Sequence, residues 1–191
     1  MQQQPLANIQ VSSFHPMSIA AHWLTVILLI AVYALIELRG IYPKGTAAHD
    51  LMKIWHEMLG LTVFGLVFIR LILRGIFPAP DIHPAPPLWQ HRLATAMHWT
   101  LYAFLVVMPV LGWVVLSAKG KPVPLYGLNL PALVTADPAF AKSMEAIHET
   151  IGKIGYGLIG LHALAALWHH YIIRDDTLHN MLPSAHAKGS L

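Results

Sequence analysis

Cysteine is absent from the 191-residue chain. That excludes a disulfide framework, thiolate-held clusters and any prosthetic group attached through a C-x-x-C-H sequence. Charge is scarce as well: Asp, Glu, Lys and Arg make up 11% of residues, against 56% hydrophobic, and mean hydropathy is +0.56. So little charge on so apolar a chain argues for a membrane protein and leaves no stretch that reads as a separate soluble catalytic domain. Residues 1–17 lack Lys and Arg, and no small-x-small site follows the first apolar run before Glu37 and Arg39. The run therefore reads as a retained helix rather than a cleaved leader.

Long apolar runs are what the chain does have. Ile19–Ile36 carries no formal charge apart from titratable His22, and Leu93–Ala118 is interrupted only by His98. Ile54–Leu73 spans if Glu57 and Arg70 lie at its ends or face protein, and Ile154–Ile173 is broken only by histidines. Each is long enough to cross about 30 Å of hydrocarbon as a helix. The expected fold is an all-α integral membrane protein: one domain, an up-down four-helix transmembrane bundle with spans near 17–37, 54–73, 93–117 and 148–173. An even number of spans places both termini on one side.

The connections differ in character. Residues 39–53 form a short polar link with Pro43, Lys44 and Gly45, and residues 75–91 carry five prolines, which block regular helix. The longest connection, 119–147, begins "KGKPVPLYGLNLP", reads as a membrane-surface loop, and ends in a helical lead-in from Ala139 to His148. The tail beyond Pro183 reads as loose. Lys and Arg number five on the terminal side and seven on the other, which slightly opposes cytoplasmic termini.

Thirteen histidines outnumber the twelve Lys and Arg. Imidazole is costly in lipid unless it faces the bundle interior and is coordinated or hydrogen-bonded. His148 and His162 lie 14 residues apart, which is about 21 Å and nearly four whole turns, so they share a face near opposite membrane surfaces. In an up-down bundle His22 falls level with His162, and His56 with His148. Two bis-imidazole sites at two depths suit two b haems; a bare metal would instead gather its ligands around one centre. Gly60, Gly65, Gly152, Gly155, Gly157 and Gly160 either admit a flat porphyrin or support close helix packing. His169 and His170 are alternatives to His162 but sit nearer the surface. His98 is the strongest further competitor, and His91 and His98 are placed to approach the terminal-side haem.

The segments "HWLTVILLIAVYALIELRGIYP", "WHEMLGLTVFGLVFIRLILR" and "IHETIGKIGYGLIGLHALAALWHHY" resemble the bacterial cytochrome b561 family, especially its small four-helix di-haem members. The resemblance spans about residues 15–183. It implies two haem b groups, with axial ligands His22 of "HWL", His56 at the start of the second helix, His148 of "IHET" and His162 of "GLHA". Arg39, Gly40, Ile41, Tyr42 and Pro43 match the end of the family's first helix, and His169, His170 and Tyr171 its "HHY".

The resemblance also implies the chemistry: characterised members of this kind look like enzymes that oxidise superoxide to dioxygen on the periplasmic side, pass one electron at a time through haem and reduce ubiquinone. Superoxide needs an anion-attracting entrance, for which Lys119, Lys121 and Lys153 are the candidates, with Lys142, Arg39, Lys44 and Lys53 nearby. Quinone reduction needs protons as well as electrons, which points to His169 or His98. The expected partners are superoxide, ubiquinone and membrane lipid, with no nucleic acid. The resemblance places the protein in the bacterial inner membrane, multi-pass, with cytoplasmic termini. Two alternatives stay open: a cytochrome b subunit fed by a partner dehydrogenase or hydrogenase, and a non-enzymatic haem-binding redox or sensor module.

Overall fold

The computed structural model describes residues 13–183. The tail beyond Pro183, expected to be loose, lies outside them, as do the first twelve residues. Four long helices follow one another: α1 (Pro16–Leu38), α2 (Ala47–Ile76), α3 (Leu88–Ala118) and α4 (Pro138–Trp168). A short 3-10 turn, Arg39–Ile41, follows α1, and a wider π-type turn, His169–Ile173, extends α4. All four helices are long and apolar enough to cross a membrane, and the chain is a multi-pass, all-α membrane bundle.

Local chemistry sets the ends of these helices beyond the apolar runs. Thr46 accepts a hydrogen bond from the His49 amide and so starts α2 at Ala47. Part of the polar link expected over 39–53 is therefore helix, which carries the chain out past the hydrocarbon. Asp137 accepts from the amides of Ala139 and Phe140 at 2.9 and 3.0 Å, and Pro138 supplies the preset φ of a first helical position. The lead-in from Ala139 is thus continuous with α4. At the other end of α3, Gly120 adopts a φ of +64°, and its amide donates to the Ser117 carbonyl.

The connection after α3 holds a feature that its proline content concealed. Strands β1 (Val123–Leu125) and β2 (Leu128–Leu130) pair antiparallel, Val123 opposite Leu130 and Leu125 opposite Leu128. Two residues, Tyr126 and Gly127, make the turn, both at positive φ.

Neighbouring helices in the bundle are α1 with α2, α2 with α3, and α3 with α4. Val63 and Val67 of α2 and Phe104 and Leu105 of α3 form the main buried cluster, with Leu28, Leu29, Ile151 and Leu158 packed around it. Ala21, Leu66 and Leu73 form a second. Large apolar side chains such as Ile27, Ile30, Leu161 and Leu164 point outward, the arrangement of a bundle whose solvent is lipid.

Candidate functional site

His56 rises from α2 and His148 from α4, and their ring centroids are 6.3 Å apart with planes crossed at 81°. His22 of α1 and His162 of α4 face each other at 6.4 Å with planes at 48°. All four imidazoles are half-buried. The two α4 members share a stripe with Gly155, which falls midway between them. The four histidines singled out from sequence thus meet as two pairs, one near each end of the bundle.

The His56 Nδ1 atom lies 2.9 Å from the Val32 carbonyl oxygen. A carbonyl only accepts, so Nδ1 carries the proton and Nε2 keeps its lone pair for a metal, the usual outer-shell arrangement of a ligating histidine. Nδ1 of His22 and Nδ1 of His148 are buried without a hydrogen-bond partner. Orphaned imidazole nitrogens of this kind are costly in a dry interior. They fit rings whose place in the bundle is set by coordination. Among the described residues no three His, Cys, Asp or Glu side chains gather to hold a bare metal ion.

A cavity of about 380 Å³ surrounds the His56 and His148 pair. Its inner wall is apolar, with Leu29, Val63, Phe104, Leu105 and Met108, and Gly60, Gly112 and Gly152 lie along it. A Cβ at Gly60 would meet nothing within 4 Å, whereas one at Gly112 would touch the His148 ring at 3.4 Å. The charged lining consists of Arg39, Lys53, Lys119 and Lys153 with Glu37, Glu57, Glu145 and Glu149.

The candidate lysines do not form one group. Lys119 is ion-paired with Glu145, and Lys53 reaches Glu57 at 3.9 Å. Lys153 lines the cavity without an ion-pair partner among the described residues, as does Arg39. Lys121 is exposed and is not part of the lining.

Sequence reasoning missed the aromatic waist between the two histidine levels. Tyr33 of α1 donates to the Gly152 carbonyl at 2.8 Å and packs against Tyr156 of α4, ring centroids 4.4 Å apart with planes tilted at 44°, and Tyr156 donates to Glu37 at 2.9 Å. A signal was present, since Tyr33 stands eleven residues after His22, about three turns on and nearly on the same face.

At the other end, His98 of α3 is exposed and its ring lies 5.5 Å from that of His162. It is therefore nearer to His162 than His22 is. His91 is exposed. Past the π-type turn the chain folds back: His169 Nδ1–H donates to the buried Asp175 carboxylate, and the His170 ring lies 4.9 Å from that of His179. Trp23 Nε1–H donates to the Met181 carbonyl at 2.8 Å and ties this return to α1. Burial alone would raise the Asp175 carboxyl, but hydrogen bonds from His169 and Thr177 outweigh it and hold the group below its ordinary value.

Fold and site together define a multi-pass helical membrane bundle with imidazoles facing one another at two levels of its interior. The chain belongs to the prokaryotic cytochrome b561 family, a haem-binding family whose pattern covers residues 13–184. Cytochrome b561 homolog 1 of Escherichia coli strain K12 is 39% identical over 173 residues, covering 91% of this chain and 98% of that protein. A Yersinia pestis protein named as probable superoxide oxidase CybB is 34% identical over 167 residues, 87% of this chain and 94% of its own. Cytochrome b561 homolog 2 of Escherichia coli strain K12 is 32% identical over 170 residues, covering 86% and 88%.

Proposed function

We propose that this protein is a di-haem b cytochrome that oxidises superoxide to dioxygen and delivers the electrons to ubiquinone. The observation that carries the reading is the facing imidazoles, His56 with His148 and His22 with His162, at 6.3 and 6.4 Å. Two coordination bonds of about 2 Å together with the ring radii account for roughly 6 Å between centroids, so each pair is spaced for one metal atom. The Yersinia pestis relative's name supports superoxide as the donor.

Bound b haems supply reversible one-electron exchange. The chain does the rest. The Val32 carbonyl fixes the His56 tautomer and turns Nε2 into a ligand. Arg39 and Lys153 at the cavity rim attract an anion, and superoxide gives up its electron without a proton, so this end needs no acid or base. Ubiquinone takes two electrons and two protons. His169, which holds a proton at Nδ1 against Asp175, and His98 are the groups at the other end that can supply them. In this reading the protein lies in the bacterial inner membrane, with cytoplasmic termini and the Lys119 connection in the periplasm.

Purified protein should contain two haems by pyridine haemochrome assay, and His56→Ala and His162→Ala should each lose one. Superoxide should then drive ubiquinone reduction, and added superoxide dismutase should suppress it. One haem in the parent, or quinol formed only at the uncatalysed rate, overturns the reading.

A further inference from the structure

The segment between Lys121 and Asp137, "PVPLYGLNLPALVTA", has no charged residue in fifteen. A connection on the water side has no need of such a composition. Its tip does not stand off from the bundle: the Tyr126 ring lies 6.5 Å from that of Trp55, and the Tyr126 hydroxyl is 2.7 Å from the Thr62 hydroxyl. Thr62 is eight residues into the apolar run that starts at Ile54, about 12 Å below its outer end. The hairpin tip therefore reaches alongside the part of α2 that crosses hydrocarbon.

We propose that residues 122–136 form a membrane-embedded hairpin whose partner is lipid acyl chain, in the leaflet nearer His56. Three features fit that solvent. Leu128, Tyr126 and Leu133 are 68%, 55% and 48% exposed, and Tyr126 lies against Trp55, which with Ile54 is itself exposed on the apolar run of α2. The two hydroxyls at the tip satisfy each other, because Thr62 donates its own proton to the Met58 carbonyl at 2.9 Å and so accepts from Tyr126.

The strand edge is blunted too. The turn closes on Leu125 and Leu128, so the next pair, Pro124 opposite Asn129, is the one whose amides point outward, and proline removes one of those two donors. An open edge in lipid is otherwise costly.

The returning leg is pinned to α3. Trp113 Nε1–H donates to the Pro131 carbonyl at 2.9 Å, and the Leu133 amide donates to Ser117 Oγ at 3.1 Å. Val123, 1% exposed, lines the cavity around His56. The hairpin is thus a wall of that cavity on the α2 and α3 side, with lipid on its outer surface.

A chain without cysteine permits a direct test on the full protein in liposomes. Nitroxide labels at Leu128→Cys, Lys121→Cys and Leu164→Cys are compared for relaxation by dioxygen, which concentrates in lipid, and by a water-soluble nickel chelate. Lys121 is the aqueous reference and Leu164, outward on α4, the lipid reference. The Leu128 label should respond like Leu164, with oxygen relaxation dominant. A response nearer to that of Lys121 overturns the proposal. Leu133→Cys asks the same question if labelling at Leu128 disturbs folding.

Discussion

The imidazole planes of His56 and His148 cross at 81°, whereas those of His22 and His162 cross at 48°. In low-spin ferric haem, crossed axial imidazoles leave two iron orbitals nearly degenerate and give a highly anisotropic spectrum, and less crossed planes give a more rhombic one. Two low-spin signals should therefore be resolved by electron paramagnetic resonance. His56→Ala and His148→Ala should remove the more anisotropic signal, and His22→Ala and His162→Ala the other. His98→Ala should spare both; loss of a signal in that variant would make His98 a ligand in place of His22.

Gly155 and Gly60 have opposite reasons for being glycine. A Cβ at Gly155 would overlap the Tyr33 hydroxyl and the Phe104 ring, so Gly155→Ala should destabilise the fold by about 1–3 kcal/mol. Adding Tyr33→Phe should recover part of that loss, since the hydroxyl is one of the two obstacles. Gly60 borders the cavity with open space beside it. Gly60→Leu should leave the protein folded and lower haem retention at the His56 site alone. Thermal melts in detergent beside haem-to-protein ratios separate the two effects.

Ion pairing ranks the lysines. Lys119 is neutralised by Glu145, and Lys121 is outside the cavity lining, while Lys153 lines it without such a partner. Lys153→Gln should lower the superoxide rate constant roughly twofold or more at low salt, and the deficit should shrink as salt rises. Lys121→Gln should change it little. Glu145→Gln releases the Lys119 charge and should raise the rate. Stopped-flow haem reduction by superoxide at two ionic strengths reads all three, and a slower Glu145→Gln enzyme would contradict this ranking.

The four spans and the two histidine levels were legible because both rest on long periodicities: apolar runs of membrane length, and a 14-residue interval that returns to one helix face. Features that depend on which side chain meets which were not. Lys119, just past the end of α3, and Glu145 of α4 are 26 residues apart, and nothing local marks them as a pair. The β-hairpin was hidden because its prolines read as helix breakers and because Tyr126, at φ +47°, stands where a two-residue turn usually has Asn, Asp or Gly. The π-type turn at His169 closes on Asp175 six residues further on, and no local pattern marks that carboxylate as the partner of His169.

That contact carries a pH dependence. Asp175 is 4% exposed, accepts from His169 Nδ1 and holds the Thr177 amide at 3.0 Å. Its folded carboxyl sits below the unfolded value of about 3.9. For a carboxylate depressed in this way, the stabilisation is fully present above the unfolded value and is lost as pH falls through the folded one. On account of Asp175, the return that ties Met181 to Trp23 should therefore loosen in acid, below about pH 4. Asp175→Asn removes the charge at every pH and leaves the His169 donor without a carboxylate, at a cost of about 1.5–3 kcal/mol for a hydrogen bond to a charged group. Hydrogen exchange at the Thr177 amide should be slow in the parent at pH 7, accelerate at pH 3 relative to the intrinsic rate, and be fast in Asp175→Asn at both. Equal protection in parent and variant at pH 7 would show that the carboxylate does not hold the turn.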